Sequence, residues 1–298
     1  MIPTPEQPQT RIAIIAILVS VAALSLGDAI IKATGLALPL WQMFILRSCV
    51  VVPALWWLAR RHGGMNVSNL GWVLVRSILL IAMWLSYYAA LPMMPLSLAA
   101  ATYYTAPILI TVIASGLARQ WPAPRVLLAV VTGFAGVVVI LRPDASGFDL
   151  ATLLPLLAAF LYACAMLLTA HKCRRDDPFA LALVLNIAFF GTGAGLGVFS
   201  GRQGSSLFGP WQSVDLALIG VVAALSAVIL IGSVGAAIAY QKGPPATIAA
   251  FDYSYLFFSL IWGLLFFGDL PGALSLTGTT LIALAGLLSL PRPEKKAR

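Results

Sequence analysis

Apolar side chains follow one another along this chain in long blocks separated by short polar joints, not at the period of a half-buried strand or a surface helix. Ten blocks, at roughly 12–32, 38–58, 70–91, 96–117, 124–141, 151–171, 179–199, 214–239, 245–267 and 272–290, have the size a bilayer demands. A helix rises about 1.5 Å per residue, so a hydrocarbon core about 30 Å thick takes about 20 mostly apolar residues. The pattern predicts an all-α integral membrane protein with ten transmembrane helices. The joints are too short for a soluble domain, which places any function inside the bundle. The first block follows a ten-residue polar tail and is expected to be a true span, being too long for a cleaved signal peptide.

Composition agrees. Of 298 residues 61% are hydrophobic and 9% charged, with a mean hydropathy of +0.98, against about 45–50% apolar and about 25% charged in a soluble domain. A water-soluble enzyme and a disordered chain are both excluded. The excess of 18 basic over 10 acidic residues reads as topology and not as nucleic-acid binding. Thirteen Lys and Arg fall on the tails and alternate joints, three (Lys32, Arg142 and Arg202) on the others, and Arg47 and Arg76 inside blocks. Positive charge stays in the cytoplasm, so both termini are expected there, in a multi-pass protein of the inner membrane. Cys49, Cys164 and Cys173 have neither disulfide nor zinc spacing. No metal or cofactor is expected.

Shifting the chain by 150 residues aligns Ala99–Pro143 with Ala249–Pro293 without a gap, and eight of 45 positions agree. They include Tyr103/Tyr253, Gly136/Gly286 and the Arg142-Pro143/Arg292-Pro293 pairs. Residues 1–143 and 144–298 thus read as two units of five helices around a central cavity. Five is odd, so the second unit enters the membrane from the opposite side. Such inverted repeats are characteristic of secondary transporters that bind substrate near the midplane.

Several residues carry a resemblance: Arg47-Ser48, the run from Arg76 through Tyr87-Tyr88-Ala89-Ala90-Leu91, Pro95-Leu96-Ser97-Leu98-Ala99, Pro107, and Gly133-Phe134-Ala135-Gly136 closing in Leu141-Arg142-Pro143. In these the chain resembles the EamA-type unit of the drug/metabolite transporter superfamily, over nearly its whole length. The resemblance implies a ten-helix carrier of small metabolites with a site built from helices 1, 3, 4, 6, 8 and 9. A YddG-like amino-acid exporter is the favoured branch, with exporters of nucleosides or cationic drugs as the alternative. Members often carry Gly-Glu after the fourth helix of each unit; here Ala118-Arg119 and Gly268-Asp269 stand there.

Ionisable groups inside a membrane are costly and need a reason. Arg47 lies deep in the second block, where it either forms an ion pair with Asp28 or anchors a substrate carboxylate; Lys32, four residues on, competes for Asp28. Arg76 either snorkels to the headgroups or guards the cytoplasmic mouth, since Arg76, Leu80, Met83 and Tyr87 form one helical stripe. Asp252 shares a face with Tyr255, Ser259 and Trp262, and is the candidate for proton coupling or substrate contact, with Asp28 beside it as coupling or ion-pair partner. Ser97, Tyr104, Thr111 and Ser115 make a further stripe around Pro107. Pro107 and Pro155 are candidate hinges, because proline frees a backbone carbonyl.

Trp84, Tyr87, Tyr103, Tyr104, Tyr253, Tyr255 and Trp262 are expected to line the substrate site, whereas Trp41, Trp56 and Trp57 suit an interfacial belt. Gly191, Gly193, Gly195 and Gly197 form two overlapping GxxxG patterns that suit packing within a monomer, or a weak homodimer. An intramembrane enzyme lacks its nucleophile, base or metal cluster, no P-loop supports ATP-driven pumping, and a channel lacks a polar filter. The expected partners are a small-molecule substrate and the lipid bilayer.

Overall fold

The computed structural model describes residues 7–34, 38–61, 65–94, 96–142, 150–200 and 209–290; His62, Pro95, Pro143, Arg202, the Ser97 side chain and the basic tail from Pro291 lie outside them. The described chain forms twelve α-helices: α1 (Gln7–Thr34), α2 (Leu40–Arg61), α3 (Leu70–Ala90), α4 (Leu96–Tyr103), α5 (Ala106–Ala118), α6 (Pro124–Leu141), α7 (Leu153–His171), α8 (Pro178–Gly197), α9 (Leu216–Lys242), α10 (Pro245–Asp252), α11 (Ser254–Phe267) and α12 (Ala273–Ser289). Among the described residues there is no strand. Among the described residues, nine helices or end-to-end helix pairs are long and apolar enough to cross a bilayer, and α12 is shorter at 17 residues. Large apolar side chains such as Ile15, Ile78, Leu128 and Leu265 point outward, which only a lipid surround tolerates on this scale. The protein is an all-α integral membrane protein.

Local chemistry sets the helix ends. Asn69, Asp177 and Asp215 turn side-chain oxygens onto the first free N–H groups of α3, α8 and α9. Prolines 124, 178 and 245 open α6, α8 and α10, where a missing N–H costs nothing. After α11, Gly268 takes a left-handed turn at φ +68°; after α5 the same turn falls on Arg119 at φ +52°. Glycine adopts that conformation freely, whereas another residue gives up about 1–2 kcal/mol there. Asp269, next to that glycine, pairs with Lys32 at 3.3 Å, so Lys32 does not compete for Asp28.

Two spans are broken. Pro107 sits in the first turn of α5 and deprives the Tyr103 carbonyl of its helical donor, and Thr105 tightens the joint by donating to the Thr102 carbonyl at 3.2 Å. The second break, at Tyr253 between α10 and α11, has no proline; there the Tyr253 ring fills the space where Gly133 of α6 lacks a Cβ. Pro155 lies in the first turn of α7, where it interrupts no helical bond and makes no kink. The helix break expected at Pro155 is therefore not seen, while α2 carries Pro53 in its interior.

α1 packs on α9, α3 on α7, α2 on α8 and α6 on α12, with α11 against α1 and α5 against α7 and α10. α6 and α12 are antiparallel: Gly136 meets Gly278 and Ile282, and Gly278 meets Ile140. A Cβ on either Gly136 or Gly278 would lie 2.6 Å from the other's carbonyl oxygen, so these backbones touch. On α8, Gly193 and Gly197 press on Trp41 of α2, whereas Gly191 and Gly195 have no neighbour within 4 Å. Trp56 and Trp57 are exposed beneath Arg60 and Arg61, as a membrane-interface belt requires. Trp41 is not part of such a belt: it is buried, its Nε1 donating to the Gly209 carbonyl at 3.0 Å.

Both ends of the bundle are tied. At the α1–α2 end, Gln42 exchanges two hydrogen bonds with the Gln212 backbone, at 2.7 and 2.9 Å. At the other end, Asp176 accepts from the Ser68 N–H at 2.6 Å, and Gln241 donates to the carbonyls of Cys173 and Asp176 at 2.7 and 2.8 Å.

Candidate functional site

Aromatic rings from α3, α4, α7 and α11 meet in the middle of the bundle. Trp84 stacks on Tyr88 with centroids 5.4 Å apart, and the chain continues through Tyr87 to Tyr103 (5.3 Å), then branches to Tyr162 (6.0 Å) and to Tyr104 (5.9 Å). Tyr104 reaches Tyr255 at 6.1 Å. Trp84, Tyr87, Tyr88, Tyr103, Tyr162 and Tyr255 are only partly buried, so each keeps some accessible surface. The pattern expected Trp84, Tyr87, Tyr103, Tyr104 and Tyr255 here. Tyr253 departs from it: the side chain is fully buried against Gly133 and Tyr104 and lines nothing.

Two carboxylates flank these rings. Asp252, at the end of α10, accepts from the Tyr240 hydroxyl at 2.5 Å and the Tyr162 hydroxyl at 3.3 Å. Asp28, exposed on α1, accepts from the Tyr255 hydroxyl. The break at Tyr253 therefore divides the expected Asp252–Tyr255–Trp262 stripe. Asp252 turns to α7 and α9, while Tyr255 and Trp262 turn to α1, Trp262 donating to the Ala22 carbonyl at 3.3 Å and the Ser25 hydroxyl at 3.1 Å. Thr111 and Ser115 spend their hydroxyls on carbonyls of their own helix and are not free for a ligand.

The arginines also differ from expectation. Arg47 forms no ion pair with Asp28, whose oxygen is taken by Tyr255; among the described residues the one ion pair is Lys32–Asp269. Arg47 is 5% exposed, with its guanidinium 4.6 Å from the Phe189 ring centroid and 5.5 Å from that of Phe44. Arg76 does not snorkel and does not line a mouth: it is 2% exposed and its Nε donates to Thr169 Oγ1 of α7 at 2.7 Å. Tyr162 and Tyr240, the donors to Asp252, stand out in the sequence only as two of its span aromatics, and nothing there joins them to that carboxylate. A lone tyrosine in an apolar helix looks like packing, and the only available signal is its need for a hydrogen-bond partner. Among the described residues no cluster of acidic, histidine and cysteine side chains could hold a metal.

No family model matches the chain. A crystal structure 19% identical superposes with a TM-score of 0.79, over 95% of this chain and 96% of that one, which establishes a shared fold. Among curated proteins, the riboflavin transporter of Vibrio cholerae is 30% identical over 257 residues, covering 84% of this chain and 80% of that protein. The chain belongs to the same family as that transporter. Two further members, the riboflavin transporters of Rhizobium johnstonii and Brucella anthropi, are 27% and 24% identical over 72% and 78% of the chain, with 68% and 81% of their own lengths covered. Membership makes the chain a small-metabolite transporter of the inner membrane and not an enzyme. Amino-acid export, expected from the resemblance, finds no support among these members, which are named for riboflavin.

Proposed function

We propose that the chain carries a flat, neutral heteroaromatic metabolite of the riboflavin type by alternating access. The observation that carries this reading is the run of partly exposed rings from Trp84 to Tyr162 and Tyr255. A planar tricyclic ring can slide between such faces, and each aromatic contact contributes about 0.5–1.5 kcal/mol beyond the area it buries. The relatives named for riboflavin support the choice of substrate. Asp252 and Asp28, each held by tyrosine hydroxyls at an edge of the rings, are the polar groups for the ribityl chain or for ion coupling.

Alternating access rests on inverted halves, 1–143 and 144–298, with both termini cytoplasmic. Support comes from the packing order. Exchanging the halves turns α1 on α9 into α7 on α3, and leaves α2 on α8 and α6 on α12 as they are. The antiparallel contact of α6 and α12 and the matching breaks after Tyr103 and Asp252 agree with it. Gly193 and Gly197 spend their close approach inside the molecule, which favours a monomer.

The test is counterflow with purified protein in vesicles preloaded with unlabelled riboflavin. Saturable, trans-stimulated entry of labelled riboflavin, unaffected by excess tryptophan or nucleosides, is the expected result. Counterflow of amino acids without riboflavin counterflow would overturn the substrate assignment, and flux that neither saturates nor shows counterflow would overturn the carrier.

A further inference from the structure

Among the described residues, Arg47 is the one deep cation left unsatisfied along a whole hydrogen-bonding edge. Its Nε and Nη2 are buried and have no partner, whereas Arg76 satisfies its Nε on Thr169. Buried donors without acceptors are uncommon and costly. A cation with no carboxylate beside it inside a membrane protein requires a functional reason. Nε and Nη2 are also the two donors that point the same way from one edge of the guanidinium, so together they make the fork that matches two adjacent acceptors in one plane.

The surroundings say what kind of acceptor fits. The guanidinium lies over Phe189 and near Phe44, whose rings pack at 4.6 Å. Phe44 and Phe189 belong to the core cluster against which Trp84 and Tyr88, stacked on each other at the head of the aromatic chain, also pack. The aromatic chain and the two rings over Arg47 therefore share one core. A ligand stacked along those rings offers its rim to the arginine, not its face.

We propose that the Nε/Nη2 edge of Arg47 is the specificity-determining anchor of the site. It recognises the rim of a planar heterocycle where a carbonyl oxygen stands next to an unprotonated ring nitrogen. This rests on the flavin-type substrate proposed above. The isoalloxazine ring carries two such rims, at N1 with its neighbouring carbonyl and at N5 with its own; aliphatic metabolites carry none.

The experiment is a chemical double-mutant cycle on the full-length protein in detergent, reading equilibrium binding by flavin fluorescence quenching. The ligands are riboflavin and the two deaza analogues in which N1 or N5 is replaced by CH; the proteins are wild type, Arg47→Leu and Arg47→Lys. A hydrogen bond to a charged group is worth about 10–100-fold in affinity. Arg47→Leu weakens riboflavin by about that factor, and wild type loses about as much with one of the two analogues, which identifies the rim. Arg47→Leu then shows no further loss with that analogue. Arg47→Lys keeps the charge but not the fork and retains the defect, which separates shape recognition from charge. Melting temperatures within a few degrees of wild type show that the variants fold.

Unchanged riboflavin affinity in a folded Arg47→Leu protein would overturn the anchor, as would equal losses for riboflavin and both analogues. Loss of inhibition by aromatic amino acids in Arg47→Leu, with riboflavin unaffected, would reassign the arginine to a carboxylate. Wild-type protein that binds no flavin overturns the underlying substrate reading instead.

Discussion

The two overlapping glycine patterns of α8 allow a sharp test of how α2 and α8 meet beside the site. Gly193 and Gly195 are two residues apart and so face about 200° apart around the helix. An alanine at Gly193 would put its methyl 2.7 Å from the Trp41 carbonyl oxygen and 3.0 Å from Phe44 Cβ and Ile45. An ordinary C···O contact is about 3.3 Å, so the helices must part by about 0.6 Å along their most intimate contact. Overpacking of this kind costs about 1–3 kcal/mol, and the better helix propensity of alanine returns about 1 kcal/mol. Gly193→Ala is therefore expected to destabilise by up to about 2 kcal/mol and to weaken transport, because Phe44 is one of the rings over Arg47. Gly195→Ala meets nothing within 4 Å and should be neutral or stabilising by up to about 1 kcal/mol. Unfolding in detergent, followed by circular dichroism, separates the pair. If Gly195→Ala is as damaging as Gly193→Ala, α8 does not approach α2 through the face described.

Other outcomes follow from the same geometry. Tyr240→Phe removes the 2.5 Å hydrogen bond to Asp252 and should cost about 1.5–3 kcal/mol, seen as a lower melting temperature and slower transport; no change in either would mean that the bond is idle. Thr169→Val leaves the buried Nε of Arg76 without its acceptor and should destabilise by about 1–3 kcal/mol, while Arg76 remains unreactive to membrane-impermeant reagents. In the joint after α7, burial and then the charge of Asp176 push the Cys173 thiol up to about 11. A raised value keeps the thiol protonated at neutral pH, so its thiolate is roughly one part in a thousand at pH 8. Maleimide labelling of Cys173 in folded protein should be slow there, rise about tenfold per pH unit, and become fast on denaturation; rapid labelling of folded protein at pH 7 would contradict the burial.

Spans and their boundaries were legible because the bilayer sets a length and the chain meets it almost block by block. Tertiary rotation was not legible, and it decides the site. A helical stripe through Asp252, Tyr255 and Trp262 assumes an unbroken helix, but the helix breaks at Tyr253, whose ring is seated in a gap at Gly133, 120 residues away by number, and nothing local announces it. The pairing of Arg47 with Asp28 looked available from depth alone, yet depth says nothing about azimuth, and Tyr255 reaches Asp28 first. Proline had to be read by position: Pro107 starts a helix after a break, whereas Pro155 lies in a first turn and does nothing to its axis. Aromatic content pointed to ringed walls, but rings accept amino acids and flavins alike, so composition could not name the substrate.

The antiparallel relation of the two halves is the claim on which alternating access depends, and side-specific labelling tests it directly. Arg142→Cys and Arg292→Cys, each in a protein whose three native cysteines are replaced by serine, are exposed to an impermeant maleimide in right-side-out and inside-out vesicles. The account predicts that Arg142→Cys labels only from the periplasmic face and Arg292→Cys only from the cytoplasmic face. Labelling of both from one face would contradict it.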